Sequence, residues 1–288
     1  MSILTVDKLN KKYPGFALQD ISFSLTEGAI TGFIGRNGAG KTTTLKSLLN
    51  FVHPDSGRIA FFGQDFADHE LAIKEQIGFV SGGIDFYPRQ KIAVITQATK
   101  QFYPHWDEAA YQHYLELFAL DERKTPAELS AGMKVKYALA LALSHRAKLL
   151  ILDEPTSGLD PISREELLDI FLHLVSEQKL TIFFSTHITA DLEKCADYII
   201  YIRQGRIYAR EQLDSFKNSY RLIQFSEDVL PQLPPDKLLG CKRSKTGYQA
   251  LVPITALPLS GVEATTADLD SIMVHLEKEG EHDGKITG

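Results

Sequence analysis

The octapeptide GRNGAGKT at residues 35–42 constrains this chain more than any other feature of its sequence. It fits the pattern GxxxxGKS/T, it follows an apolar run at Ala29–Ile34 that predicts a strand, and it opens a predicted helix over Lys41–Asn50. Glycines in such a loop let backbone N–H groups converge on an anion, and the helix N-terminus adds a favourable dipole. The octapeptide therefore predicts a loop that holds the phosphates of a nucleotide.

Two side chains of this loop have specific expected roles. Lys41 supplies a positive charge beside the phosphates, and the Thr42 hydroxyl is expected to ligate Mg²⁺. The predicted nucleotide-binding residues of the loop are Asn37, Gly38, Gly40, Lys41, Thr42 and Thr43. A Gly-rich turn matches such a pattern by accident in on the order of 1% of chains of this size. The flanking strand and helix make an accidental match rarer still.

Residues 148–154, KLLILDE, form an apolar run that ends in two carboxylates. Asp153, at the end of the predicted strand, is expected to hold hydrated Mg²⁺, and Glu154 to orient or deprotonate the attacking water. Alone this signal is weak, because strands often end in acidic turns. Beside the phosphate loop it becomes strong, and the two motifs together predict hydrolysis of a nucleotide bound with Mg²⁺.

The apolar pattern elsewhere predicts a wound α/β sheet with a helical insertion. Further strands are predicted at Ile3–Leu9, Ile21–Leu25, Arg58–Phe62, Ile77–Val80, Leu149–Leu152 and Thr181–Ser185. The last three are expected to be buried and parallel because they are mostly apolar. Helical spacing over Trp106–Leu120 and Met133–Ser144 predicts a helical subdomain at about residues 84–147.

The C-terminal third of the chain is patterned more weakly. Tyr198–Ile202 and Arg206–Ala209 flank Gly205 and predict a hairpin. A Pro-rich stretch at Leu230–Pro235 marks a boundary, and a helix is predicted at Ala267–Lys278. We expect a main domain at residues 1–212 and a C-terminal accessory region at residues 213–288.

Composition favours a globular protein that neither binds nucleic acid nor spans a membrane. Hydrophobic residues make up 44% of the chain, and the net charge of −6 comes with no basic stripe for a phosphate backbone. The two cysteines form no disulfide framework, and the nine histidines include no metal-spaced set, so no zinc site is expected. No window approaches the roughly 20 apolar residues of a membrane helix, and no secretory signal is apparent. A cytoplasmic location fits best, with membrane work left to another polypeptide.

The order of motifs resembles that of the ABC ATPase family. The phosphate loop is followed by LSAGM at 129–133, the carboxylate strand, SGLD at 157–160 and STH at 185–187. The resemblance covers roughly Ile3 to Ala209. It implies a P-loop NTPase (RecA-like) core with an antiparallel β subdomain, an inserted α-helical subdomain and a small C-terminal α+β appendage. It also implies a head-to-tail dimer that shares ATP between its subunits.

The resemblance assigns roles to five more residues. Ser130 and Gly132 match the signature segment, which in such proteins caps the γ-phosphate of ATP bound to the other subunit through a helix N-terminus. Asp160 matches the aspartate that communicates between the two sites. His187 matches the histidine that contacts the γ-phosphate and positions the water. Tyr13 matches the aromatic residue that stacks on adenine, and the alternative is an exposed hairpin tyrosine.

Two departures qualify the match. Ala131 and Met133 stand where many members have LSGGQ, so the contact to the other subunit is expected to be weaker. Gly82 occupies the position where the family usually places a glutamine near Mg²⁺ and the membrane partner, so no side chain fills that role there.

The residues after Gly82 suggest a coupling segment. Phe86 and Tyr87 are plausible anchors for a cytoplasmic helix of a membrane partner, and the alternative is packing inside the helical subdomain. Asp85 is the nearest carboxylate that could take over part of the missing glutamine's role.

The LSAGMK segment together with FYPHWD at 102–107 resembles the bacterial ABC-2 export branch, which includes ATPases for peptide-antibiotic immunity and amphipathic-peptide export. For FYPHWD itself we expect packing and an Asp107 helix cap rather than catalysis. The branch implies an integral-membrane permease as partner, a second copy or related ATPase subunit, and a location at the inner face of the cell membrane. An importer ATPase, or a soluble ABC protein acting on ribosomes or nucleic acid, stays open as an alternative.

Overall fold

The computed structural model describes residues 2–81, 87–245, 247–259 and 261–279. These residues form two compact units, one that ends at Arg210 and one that begins at Glu211. The assignment of residues 1–212 as a nucleotide-binding domain and of 213–288 as an accessory region stays a prediction.

Strands and helices alternate through much of the chain up to Gln212, as in a wound α/β fold. In chain order they are β1 (Ser2–Tyr13), β2 (Phe16–Thr26), β3 (Ile30–Ile34), α1 (Lys41–Leu48), β4 (Ser56–Phe61), β5 (Gln64–Asp65), α2 (Phe66–Lys74), β6 (Ile77–Ser81), α3 (Ile92–Thr99), α4 (Glu108–Leu117), α5 (Ala131–Ser144), β7 (Leu149–Asp153), α6 (Pro161–Gln178), β8 (Thr181–Thr186), α7 (Thr189–Cys195), β9 (Tyr198–Arg203) and β10 (Arg206–Gln212). Short 3₁₀ helices lie at Lys100–Phe102 and Pro126–Glu128.

The central sheet has the strand order β10-β9-β3-β8-β7-β6, and β9, β3, β8, β7 and β6 are mutually parallel where they pair. Of the three strands expected to be buried and parallel, β7 and β8 are buried at every position, and so is β3. β6 lies at the edge of the sheet, and its Phe79 is half-buried. Because the paired strands are parallel, the carboxyl ends of β3, β7 and β8 meet at one edge, and the phosphate loop, Asp153 and His187 all follow these strands.

A second, antiparallel sheet has the order β2-β1-β4-β5. It packs its apolar side onto the central sheet, where Phe23 lies 6.2 Å from Phe33 and 5.6 Å from Phe183 between ring centroids. These aromatic contacts join the two sheets into one core.

Helices α3, α4 and α5 fill the interval between β6 and β7, as predicted for the inserted helical subdomain. α4 begins after Asp107, whose carboxylate accepts a hydrogen bond from the Ala110 N–H at 3.0 Å. The expected cap is thus confirmed. Tyr103 stacks on His145 at 3.9 Å and Trp106 packs against Tyr111 at 5.3 Å, which is the packing role expected for this aromatic run.

The longest described helix, α6, was not anticipated from the sequence. Its signals were present: Asp160 caps it, Pro161 takes the first helical position, and Leu167, Phe171 and Leu174 recur at helical spacing on its buried face.

The second unit is a small α+β fold. Its elements are α8 (Leu213–Asn218), β11 (Tyr220–Phe225), β12 (Leu239–Ser244), β13 (Gly247–Pro253), β14 (Glu263–Thr266) and α9 (Leu269–Glu279), with 3₁₀ helices at Leu230–Gln232, Pro235–Lys237 and Ile254–Ala256. The sheet order is β12-β13-β11-β14, all antiparallel. The helix expected at Ala267–Lys278 is confirmed as α9. The parallel central sheet, the antiparallel sheet, the helical insertion and this α+β unit all agree with the predicted architecture.

Candidate functional site

The backbone of the phosphate loop depends on its glycines. Gly38 has φ +83° and Gly40 has φ +115°, a left-handed conformation that side chains disfavour. A Cβ on Gly40 would also lie 2.6 Å from Cδ2 of Leu18, and one on Gly35 would lie 2.3 Å from the Ile202 carbonyl oxygen. The loop is therefore pressed against neighbouring strands and keeps its shape only with glycine at these positions.

Lys41 begins α1 and is 6% exposed, yet its ammonium faces polar groups. Its Nζ donates a hydrogen bond to the Gly35 carbonyl oxygen at 2.7 Å and lies 3.3 Å from Oε1 of Glu154. The fold thus places a buried positive charge inside the loop, where a phosphate group would replace the carboxylate as its partner.

Three oxygen-bearing side chains meet next to Lys41. The Thr42 hydroxyl donates to Oδ1 of Asp153 at 3.1 Å, and the Ser185 hydroxyl donates to the same oxygen at 2.6 Å. The parallel register of β7 and β8 sets Asp153 directly opposite Ser185. This arrangement brings together the predicted Mg²⁺ pair, Thr42 and Asp153, although they are 111 residues apart.

The donor set fits Mg²⁺, which prefers a few protein oxygens completed by water and substrate phosphates. In the described part of the chain no cluster of three or more His, Cys, Asp or Glu side chains could hold a metal ion by itself. A hydroxyl and one carboxylate leave the remaining positions of the ion's shell to the nucleotide, and that is the expected division for a nucleotide-bound cation.

Glu154 is held on two sides. One carboxylate oxygen faces Lys41, and the other lies 2.7 Å from Nδ1 of His187. Its backbone has φ +51°, and its N–H donates to the Ser185 hydroxyl at 3.0 Å. A left-handed non-glycine residue at a strand end is a local strain that the fold maintains at functional sites more often than elsewhere. Glu154 and His187, predicted separately, form one pair.

A cavity of ≈ 630 Å³ opens at this edge of the sheet. It is lined by Gly15, Phe16, Arg36, Asn37, Gly38, Gly40, Lys41, Thr42, Thr43, Glu154, Ser157 and His187. All of the loop residues predicted to bind nucleotide line it, with both predicted catalytic residues. Phe16, Arg36 and Ser157 were not singled out from the sequence. Phe16 directly follows the Tyr13-Pro14-Gly15 turn, so its position in the hairpin was the available signal.

Tyr13 does not line this cavity. It ends β1, opposite Phe16 in the hairpin, is 43% exposed, and has Nζ of Lys11 5.7 Å from its ring centroid. Its stacking on adenine stays a prediction. Phe16 is a second aromatic ring in the same hairpin, and because it lines the cavity it is placed to stack on adenine.

Ser130, Gly132 and Asp160 lie together, away from the cavity lining. Ser130 caps α5 by accepting from the Met133 N–H at 3.2 Å, and Asp160 caps α6 by accepting from the Ser163 N–H at 3.0 Å. A Cβ on Gly132 would come 3.4 Å from Cβ of Ser163, so the two helix starts are neighbours. Hydrogen bonds from Ser163 lower the pKa of Asp160, which keeps this exposed carboxylate charged. The described structure therefore separates the predicted binding residues into two groups.

The proposed coupling segment is only partly described. Gly82, Asp85 and Phe86 lie outside the described residues, so the expectations for them stay predictions. Tyr87 is described and is 67% exposed. None of the described helices is both long and apolar enough to cross a membrane.

Known proteins with similar sequences point to one family. The profile described as ABC transporter matches residues 18–157. The bacitracin transport ATP-binding protein BcrA of Bacillus licheniformis is 34% identical over 76% of this chain and 73% of its own length. The Fe(3+) ions import ATP-binding protein FbpC of Pseudomonas fluorescens is 33% identical over 100% of this chain and 83% of its own length.

A solved structure titled as an ATP binding subunit of an ABC transporter agrees with these matches. It is 30% identical, superposes with a TM-score of 0.66, and aligns over 75% of this chain and 92% of its own. The predicted fold class, a P-loop NTPase core, is confirmed by this match.

Proposed function

The chain belongs to the ABC transporter family as an ATP-binding subunit with ATPase activity, and from this premise we propose that two copies bind Mg-ATP head to tail and hydrolyse it to drive a separate membrane-spanning exporter. The cargo proposed is a peptide or another hydrophobic or amphipathic compound. The chain itself would be peripheral to the inner face of the cell membrane, bound to an integral-membrane permease subunit. No nucleic-acid partner is part of this proposal.

The observation that carries the proposal is the joint position of Lys41, Glu154 and His187 at one cavity. A buried ammonium at a helix N-terminus attracts the phosphates of ATP. A carboxylate next to it, whose far oxygen accepts from an imidazole, is arranged to orient a water towards the terminal phosphorus. No other described group at the cavity combines a base with a partner that fixes its direction.

Each residue has a defined part in this proposal. Lys41 would exchange Glu154 for phosphate oxygens, which frees the Glu154 carboxylate for water. His187 would keep that carboxylate aligned and contact the terminal phosphate. Thr42 and Asp153 would hold Mg²⁺, which supplies charge neutralisation at the phosphates when bound.

The second group of residues supports a shared site. Ser130 is exposed and caps α5, and Gly132 lies in the first turn of that helix. Asp160 caps α6 beside it, and all three lie outside the cavity lining. A helix N-terminus binds anions through free backbone N–H groups. If a second copy presents this group to the cavity of the first, each ATP is enclosed from both sides, and we propose that arrangement for the active dimer.

Export is supported by the resemblance of residues 102–107 and 129–134 to the export branch and by the relative named for bacitracin transport. A second candidate, the ATPase of an importer, is favoured by the match to an Fe(3+) import protein, which extends over the whole chain. We place export first because residues 102–107 and 129–134 both resemble the export branch.

The test is to purify the chain together with the membrane protein encoded beside its gene and to reconstitute both in vesicles with ATP outside. Only complexes whose ATPase faces outwards can use this ATP. In these complexes an exporter should accumulate labelled bacitracin inside the vesicles, and Glu154→Gln complexes should not. Accumulation that requires ATP supports export. Discharge of preloaded cargo would favour the importer, and recovery of the chain with ribosomes instead of a membrane protein would contradict both.

A further inference from the structure

A buried carboxylate lies behind the Glu154–His187 pair and has no role in the mechanism above. Asp191 is on α7, four residues after His187, and is 1% exposed. Its Oδ2 has no hydrogen-bond partner among the described residues, and the same holds for Nε of Arg164. The two side chains face each other, with 3.9 Å between Arg164 Nε and Asp191 Oδ1.

The cluster touches three chain segments that carry predicted site residues, namely those of Glu154, Asp160 and His187. Arg164 lies in the first turn of α6, and its N–H donates to the Asp160 carbonyl oxygen at 3.0 Å. Thr156, two residues after Glu154, is fully buried. Burial raises the pKa of Asp191, while the Thr156 hydroxyl and the Arg164 guanidinium act against that rise. One charged pair thus lies between the starts of α6 and α7.

Helix packing alone does not explain this pair. A buried carboxylate with an incomplete set of hydrogen bonds is costly, and an apolar residue of similar size would pack the helices as well or better. α6 and α7 are also joined at the surface, where Nζ of Lys194 lies 3.1 Å from Asp169 and contacts Glu165. The two helices are therefore held together without the buried charge.

We propose that Asp191, with Arg164 as its counter-charge, is a positioning residue that holds the turn before α7 so that His187 stays aligned with Glu154. The inference rests on the proposed function, in which that pair orients the attacking water. Asp191 acts through α7 and the segment Thr186–Thr189, and it does not itself reach the cavity. Through Arg164 the alignment of His187 is tied to the start of α6, where Asp160 is the cap.

The test compares ATP hydrolysis by Asp191→Asn and Arg164→Gln with the wild type and with Asp169→Asn. The last variant removes a carboxylate from the same helix pair, but at the surface, where Lys194 keeps Glu165 as a partner. We expect Asp191→Asn and Arg164→Gln each to lower kcat about tenfold or more, since small misplacements of a reacting group cost up to ~100-fold. KM and the Kd for ATP should stay within about twofold of the wild type, and Asp169→Asn should be unchanged.

The double variant adds a second criterion. Because the two side chains act as one unit, Asp191→Asn with Arg164→Gln should lose about as much kcat as the worse single variant, and the effects should not multiply. A merely structural pair would instead lower ATP affinity as much as kcat, and that result would overturn the inference. So would a kcat within about twofold of the wild type in either single variant.

The outcomes separate this inference from the proposed function. Glu154→Gln is measured in parallel. If it keeps turnover, the proposed function fails; if it is inactive while Asp191→Asn is normal, only the positioning role fails. Should Asp191→Asn not fold, Arg164→Gln decides alone, because the Arg164 side chain is 31% exposed whereas that of Asp191 is 2% exposed.

Discussion

Nδ1 of His187 lies 2.7 Å from Oε2 of Glu154, so the carboxylate that follows β7 is already oriented by the imidazole that follows β8. The direction of the proposed base is therefore set by the ends of two adjacent parallel strands, and four predictions follow from the surroundings of this pair and from one buried histidine.

Glu154→Gln should retain ATP binding and lose nearly all turnover, by ~10²-fold or more, because the amide keeps the shape but removes the charge that orients or deprotonates water. With hydrolysis blocked, Mg-ATP should trap a dimer visible by gel filtration. Glu177→Gln, an exposed change at the end of α6, is the matched control. Turnover near the wild-type rate in the Glu154 variant would remove this residue from its role.

Lys41→Ala should weaken ATP binding by about tenfold or more, since a charge-assisted contact in a buried site is lost. Titration with a fluorescent ATP analogue measures the change. Lys46→Ala, in the last turn of the same helix, should leave the Kd unchanged. Equal affinities for all three proteins would contradict the assignment of the phosphate loop.

Mixing Ser130→Arg chains with Lys41→Ala chains should restore part of the ATPase activity. Each mutant alone has no intact shared site, whereas a mixed dimer has one. Random pairing gives at most about a quarter of the wild-type sites. Mixed dimers that form but remain inactive would argue against sites shared between subunits.

His145 should make the stability of the first unit depend on pH. Burial lowers its pKa to about 4 from the ordinary 6.5. Between pH 4 and pH 6.5 the imidazole is therefore protonated in the unfolded chain but neutral in the native chain. The stabilisation is complete above pH 6.5 and is lost as the pH falls towards 4, by up to about 3 kcal/mol.

Thermal melting between pH 7.5 and 5.5 measures this effect. The melting temperature of His145→Phe should fall less over the range than that of the wild type, because phenylalanine keeps the stack on Tyr103 without titrating. His113→Phe, at an exposed position, should behave like the wild type. Parallel pH profiles for all three proteins would contradict the prediction.

Much of the fold was predictable because apolar runs, and the residues that begin or end helices and strands, are local signals. The predicted strand Leu149–Leu152 appears as Leu149–Asp153, and the predicted helix Lys41–Asn50 appears as Lys41–Leu48, ending before Asn50 at φ +61°. The four-stranded sheet of the second unit was not predicted strand by strand. Its strands are short and half-buried, as at Leu239–Ser244, so their pattern is weak.

Site residues that belong to a sequence motif were predictable. Site residues that only tertiary packing brings to the cavity were not. Lys41, Asp153 and Glu154 follow from spacing alone. Phe16 enters the cavity only because the hairpin folds over Gly40, whose missing Cβ leaves room for its ring. The burial of Asp191 depends on how α6 and α7 pack, and no single segment encodes it.

The pairing of Asp153 with Ser185 across β7 and β8 has a consequence for chain length. Glu154 comes one residue after Asp153, and His187 comes two residues after Ser185. The distance between the carboxylate and the imidazole therefore depends on how many residues separate each of them from this pair. A single inserted or deleted residue within 153–154 or 185–187 would turn one side chain to the opposite face of the sheet edge. The geometry of the pair therefore requires a fixed number of residues at these five positions, whichever side chains they carry.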